Sequence, residues 1–178
     1  LIQLNILNDN RFSGKLSSVH NFLNNAITAS GKRAFGQSLL NPITDCSELN
    51  SIYEITQYCI DNKKIDFIRN HLSNIKDFEK IERKAVLKTI NPKDFVILFY
   101  NLKDIIDLDI TLRNDKNISE FINNYVKADI SLYSNKLIEF INSHFNIDKA
   151  SEVVIDRLQN YSIENLNFIS SKHCEKLN

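Results

Sequence analysis

The chain has 178 residues, of which 43% are apolar and 25% charged, enough for a folded core and too apolar for a disordered tail. Lys plus Arg equals Asp plus Glu at 22 each, so no net positive charge is available to hold a phosphate backbone, and residues 1–89 (12 basic, 9 acidic) differ only mildly from residues 90–178 (10 basic, 13 acidic). Three Gly and two Pro are too few to punctuate an all-β sandwich, so a mainly α fold is expected.

Along the chain, Ile2, Leu4 and Ile6 alternate and predict a short extended entry over residues 1–13, broken by Asn8-Asp9-Asn10 and Ser13-Gly14. From there to residue 178 a single helical domain is expected. Val19, Phe22, Leu23, Ala26 and Ile27 recur at helical spacing, and Ala34, Phe35, Leu39 and Leu40 continue the stripe after Gly31. Asn41-Pro42 stops it. Asp45 followed by Glu48 reads as a capping box, opening a helix whose stripe is Leu49, Ile52, Ile55, Thr56, Cys59 and Ile60. Ile65, Phe67, Ile68 and Leu72 mark a shorter helix, and another starts near Asp77 with Phe78, Ile81 and Ala85 inward.

Asn91-Pro92-Lys93-Asp94 is the clearest boundary: Asn91 caps, Pro92 takes the first helical position where its missing N–H costs nothing, and Asp94 suits the positive helix end. The helix it opens carries Phe95, Leu98, Phe99, Leu102, Ile105 and Ile106, widened by Val96 and Ile97, and is expected to be buried on two sides. Arg113 to Asn117 reads as a polar loop. Three further amphipathic helices follow, marked by Ile118/Phe121/Ile122/Tyr125, by Leu137/Ile138/Ile141/Phe145 and by Val153/Val154/Leu158, and residues 163–178 are weakly patterned.

No catalytic, cofactor or metal site emerges from the residues. Gly31-Lys32 lacks the phosphate-loop neighbours, with Ala26 where a Gly is needed and Arg33 where Ser or Thr is needed. His20, His71, His144 and His173 are scattered, and adjacent His173 and Cys174 point apart on a regular element. Asp77, Glu79 and Glu82 stand among Lys80, Arg83 and Lys84 as a solvated helix face, with nothing to desolvate one carboxylate. Phe95, Phe99 and Tyr100 read as core packing rather than base-stacking residues. Cys46, Cys59 and Cys174, odd in number and far apart, argue for an intracellular reducing compartment, and no apolar run nears the roughly 18 residues of a membrane span. Ile, Asn and Lys fill more than a third of the chain, which fits an AT-rich genome. Met is absent even at position 1, so an internal piece of a longer protein is expected.

Four stretches resemble the start of the core domain of MutS-family DNA mismatch-repair ATPases: Gly14 to Val19, Leu23-Asn24, Thr28 to Arg33 and Leu40 to Asp45. Their order matches that family's Gly-Ser-Leu, Leu-Asp/Asn, Thr-x-x-Gly-x-Arg and Leu-x-x-Pro-Leu/Ile-x-Asp. Further on, Asp77-Phe78-Glu79-Lys80 is similar to its Asp-Leu-Glu-Arg segment, and Pro92-Lys93-Asp94-Phe95 to the Pro-x-Asp-Leu start of its next long helix. The resemblance covers Gly14 to about Leu102, and Phe168 to Leu177 is placed like the approach to the first clamp helix. Ile52, where the family usually has Arg, and Ala26, where it has Thr, mark a divergent branch, closest in wording to those of giant viruses and octocoral mitochondria.

By that resemblance the segment is a core/lever bundle, and Thr28, Gly31, Arg33, Pro42, Asp45, Asp77, Glu79 and Pro92 hold structural or coupling positions. ATP and Mg, mismatched duplex DNA and a homo- or heterodimeric partner would belong to the parent protein, a DNA-dependent ATPase, with no catalytic role for the segment itself. Two other readings fit composition and periodicity: an unrelated helical protein-interaction domain, and a hydrolase built on the Asp77 cluster, which would need a cleft and a strongly shifted carboxylate.

Overall fold

The computed structural model describes residues 5–7, 13–152 and 168–169, which carry nine helices and, apart from one isolated bridge, no β-structure. The chain divides into two compact units at Asp77/Phe78.

In the first unit, α1 (Val19–Leu23) is short. Its free N–H groups are taken by the Ser18 hydroxyl, which accepts from Asn21, and by the carbonyls of Asn5 and Ile6, which accept from Val19 (2.9 Å) and His20 (3.0 Å). Residues 5–7 are therefore turn and bend rather than extended, with Asn5 at φ 53°. The rest of the expected entry strand lies outside the described residues. The helix expected to run through Ala26 and Ile27 stops at Asn24, whose side-chain oxygen accepts from the Ala26 N–H (3.3 Å) while its amide donates to the Lys32 carbonyl (3.1 Å). A local Asn turn outcompetes the apolar period there. Val19, Phe22 and Leu23, expected inward, are exposed in this chain.

Next come α2 (Ala29–Leu40), α3 (Cys46–Asp61) and α4 (Ile65–Asn74). Asp45 caps α3, its Oδ1 accepting from the N–H groups of Ser47 (2.8 Å) and Glu48 (2.9 Å). The far end of α3 closes in a Schellman-type turn: Lys64 N–H donates to the Cys59 carbonyl (2.9 Å) across Lys63, which takes φ 53°. The α3 stripe of Leu49, Ile52, Ile55 and Cys59 is half-buried, whereas Thr56 and Ile60, expected with it, are exposed.

The second unit holds α5 (Phe78–Val86), α6 (Pro92–Arg113), α7 (Lys116–Tyr125), α8 (Ile130–His144) and α9 (Ile147–Glu152). Helix α5 ends as α3 does, with Thr89 N–H donating to the Lys84 carbonyl (2.8 Å) across Lys88 at φ 55°. Asn91 and Asp94 form a complete capping box at the start of α6, with Pro92 in its first turn. At 22 residues α6 is about 33 Å long, and α5, α7, α8 and α9 all pack on it. Phe99 and Leu102 of α6, Ile141 of α8 and Ile147 of α9 form the core, flanked by Val96, Leu98, Ile138 and Phe145. Ile97 and Tyr100 face solvent, so the wider α6 face expected from sequence is only partly covered. Of the expected aromatic core group, Phe95 stacks on Phe145 (centroids 4.3 Å apart), Phe99 is buried, and Tyr100 meets Phe99 edge-on at the surface.

The expected loop of Arg113 to Asn117 shrinks to Asn114 and Asp115, because Asp115 caps α7 at once by accepting from Asn117 (3.0 Å) and Ile118 (3.2 Å). After α8, Asn146 N–H donates to the Phe168 carbonyl (2.6 Å), and Phe168 packs with fully buried Ala150 of α9, a helix the periodicity did not mark. The helix expected around Val153, Val154 and Leu158 and the His173-Cys174 pair lie outside the described residues.

Candidate functional site

The strongest constellation in the first unit is built by one turn of α2. Thr28 caps the helix by accepting from the Gly31 N–H (3.0 Å), so the polar N–H at this helix start is engaged by the protein's own side chain. Gly31 leaves the room that this cap needs, since a Cβ there would stand 2.8 Å from Thr28 Oγ1. One turn on, Arg33 turns its guanidinium to Asp77, 44 positions away in the chain. Its two terminal nitrogens donate to the two carboxylate oxygens at 3.1 and 2.7 Å, and one of them also donates to the Ser30 hydroxyl (3.2 Å). Thr-x-x-Gly-x-Arg thus starts a helix tightly and presents a planar fork at a fixed place on it. With both oxygens accepting from Arg33, the Asp77 carboxylate is committed to an ion pair and unsuited to act as a general base.

In the second unit, two carboxylates on α6 are buried and paired. Asp94, 8% exposed, accepts from Lys84 Nζ of α5 (2.6 Å) and from the Asn91 N–H (3.0 Å). Asp109, 7% exposed, accepts from Arg113 Nε through both oxygens (2.9 Å each) and from the Ser131 hydroxyl of α8 (3.3 Å). Arg113 also donates to Asn123 of α7 (2.6 Å). Each end of α6 is therefore tied to neighbouring helices by a desolvated charge, which makes the helix a braced rod. Sequence reasoning missed both ties. From sequence Lys84 reads as part of a solvated helix face, and Asp109 carries no signal beyond its polarity.

Among the described residues no group of three or more His, Cys, Asp or Glu could hold a metal, and no helix is long and apolar enough to cross a membrane. The family model of MutS domain III matches residues 1–171. The chain belongs to the MutS family. It is 25% identical over 182 residues to the DNA mismatch repair protein MutS of Borrelia turicatae, covering 94% of this chain and 21% of that one. It is 31% identical over 101 residues to a DNA mismatch repair mutS homolog of Acanthamoeba polyphaga mimivirus (54% of this chain, 9% of that one), and 30% over 109 residues to MutS of Borreliella burgdorferi (57% and 12%). The chain thus spans about a tenth to a fifth of the length of these relatives. No solved structure matches it significantly.

As a MutS domain III segment, the chain places the residues singled out from sequence in three groups. Thr28, Gly31, Arg33 and Asp77 come together in the first unit as described. Pro42 and Asp45 stand in the link from α2 to α3, where Pro42 follows the last turn of α2 and Asp45 caps the next helix. Glu79 lies in the first turn of α5, and Pro92 in that of α6 next to the Asn91–Asp94 capping box. The helical MutS core expected from the resemblance is the fold observed.

Proposed function

We propose that this domain III segment is the mechanical part of a DNA mismatch-repair ATPase, transmitting the state of an ATPase domain elsewhere in the parent protein to a clamp on DNA. The family match over residues 1–171 carries the reading. The braced helix α6 supports it physically, because a lever needs a rod that does not bend under load, and packed elements with discrete arrangements are what carry coupling across tens of ångströms. ATP and Mg then bind the parent outside this segment, mismatched duplex DNA is its substrate, the working form is a homo- or heterodimer, and the protein acts in a reducing intracellular compartment. Within the segment, Thr28 to Arg33 with Asp77, and Lys84 with Asp94, keep helices in register and do no chemistry.

The reading is tested by comparing the segment with its full-length parent. Calorimetry with MgATP and fluorescence anisotropy with matched and mismatched duplexes should give saturable nucleotide binding and mismatch preference in the parent. The segment alone should show no ATP binding and DNA affinity at or below the non-specific range, about 10⁻⁴ to 10⁻⁶ M at physiological salt. Sub-micromolar mismatch preference by the segment would place a reader site inside it and overturn the assignment.

A further inference from the structure

Helix α1 gains little hold on the first unit from apolar packing, since Val19, Phe22 and Leu23 are 41%, 52% and 47% exposed. A directional chain of hydrogen bonds runs instead from the entry turn through His20 to α2. The Ser17 hydroxyl donates to the Gly14 carbonyl (2.7 Å) and accepts from the Asn21 side-chain amide (2.7 Å). The Asn21 oxygen faces His20 Nδ1 (3.1 Å), and His20 Nε2 faces the Asn24 side-chain nitrogen (3.1 Å). That same nitrogen donates to the Lys32 carbonyl on α2 (3.1 Å), while the Asn24 oxygen accepts from the Ala26 N–H (3.3 Å). The Asn24 amide is thereby fixed: turned over, it would set N–H against N–H at Ala26 and oxygen against oxygen at Lys32. Its remaining hydrogen points at His20 Nε2, which must accept, so the ring proton sits on Nδ1 and is donated to Asn21.

Helix α2 closes on this ring. Phe35 packs against it, with ring centroids 5.9 Å apart, and a Cβ on Gly36 would come within 3.2 Å of Nε2. The charged side chains on the surrounding segments are basic or already paired. Lys15 Nζ donates to Asn25 Oδ1 (3.3 Å), Arg69 of α4 donates to the Asn25 carbonyl (3.1 Å), and α2 carries Lys32 and Arg33, the latter held by Asp77. Residues 13–44 contain no Asp or Glu, so these segments offer nothing to offset a positive imidazole.

We propose that His20 is a proton-operated clasp: the neutral imidazole joins α1 and the entry turn to α2, and the imidazolium releases them. A proton on Nε2 sets donor against donor across 3.1 Å, and the conflict is relieved when one of the two side chains swings away. If Asn24 moves, it gives up the Lys32 carbonyl and the Ala26 N–H. If His20 moves, it gives up Asn21 and its place against Phe35 and Gly36. The clasp is therefore closed where the imidazole is neutral and opens as pH falls. The inference concerns the first unit by itself and does not depend on the lever reading.

Two measurements on the 178-residue chain test it. Ring-nitrogen NMR at pH 8, with His20 assigned by its loss in His20→Gln, should show the Nδ1–H tautomer, the minor form of a free imidazole. Hydrogen exchange, corrected for the intrinsic effect of pH, should show the 22–26 amides less protected at about pH 5 than at about pH 8, a span that covers the titration of an ordinary imidazole. The expected loss is roughly fivefold, the factor of one hydrogen bond, with α3 unchanged. His20→Gln places a non-titrating oxygen where Nε2 stands and should keep the protection at both pH values, whereas His20→Ala should lack it at both. The Nε2–H tautomer at pH 8 would overturn the clasp. So would equal protection at the two pH values in the unsubstituted chain, or an acid loss as large in His20→Gln, which would assign the titration to another group.

Discussion

Lys63 and Lys88 occupy the left-handed position that closes a helix, with φ of 53° and 55°, where Gly is the usual choice. The chain has only three Gly, and both turns carry a strain of roughly 1 kcal/mol that a Cβ imposes there. Lys63→Gly and Lys88→Gly should therefore each stabilise by about 0.5–1 kcal/mol, net of the greater freedom of Gly in the unfolded chain. Chemical denaturation measures it, and a loss of stability in both would show that the Lys side chains contribute more than their backbone costs. Gly31 should behave in the opposite sense. Ala normally improves a helix by up to about 1 kcal/mol, but at Gly31 its Cβ meets Thr28 Oγ1 at 2.8 Å and displaces the cap. Gly31→Ala should be neutral or destabilising in the parent sequence, and clearly less harmful in a Thr28→Ala background.

At the scale of elements, the starts of α3 and α6 were legible from sequence and the partners of the helices were not. Asn91-Pro92-Lys93-Asp94 and Asp45 act within four residues, so residue type alone announces them, and α3 and α6 begin where these caps stand, whereas the Asp115 cap of α7 falls in the stretch read as loop. The break after α1 was invisible because the apolar spacing runs on through Ala26 and Ile27 while the deciding group, the Asn24 amide, is one polar residue among many. The pairing of Arg33 with Asp77 was equally hidden. The family pattern marked both residues, but a contact across 44 positions leaves no local trace.

The same distinction sets the expected costs. Asp45→Ala removes a cap serving two N–H groups and should destabilise by about 0.5–2 kcal/mol. Lys84→Ala leaves Asp94 buried with its capping bond but without its counter-ion, and should cost about 1–3 kcal/mol, reduced from the fully buried case because Lys84 is partly in water. Lys84→Ala with Asp94→Asn should recover part of that loss, since the amide retains an oxygen for the Asn91 N–H and carries no charge. Thermal denaturation of the three variants checks both statements.

For the whole molecule, the central claim is that α6 and its ties transmit force while nucleotide is bound elsewhere. Loosening the start of α6 should then uncouple the two ends of the parent without changing either site. The most direct measurement is made in the full-length parent carrying Lys84→Ala, at a temperature where it remains folded: ATP affinity by calorimetry, and ATP-triggered release of a mismatched duplex by stopped-flow fluorescence. The account predicts ATP affinity unchanged within about twofold and release slowed by about tenfold or more, the factor that corresponds to a coupling loss near 1.4 kcal/mol. If both are unchanged although stability falls as expected, α6 only holds its unit together, and the lever role is contradicted.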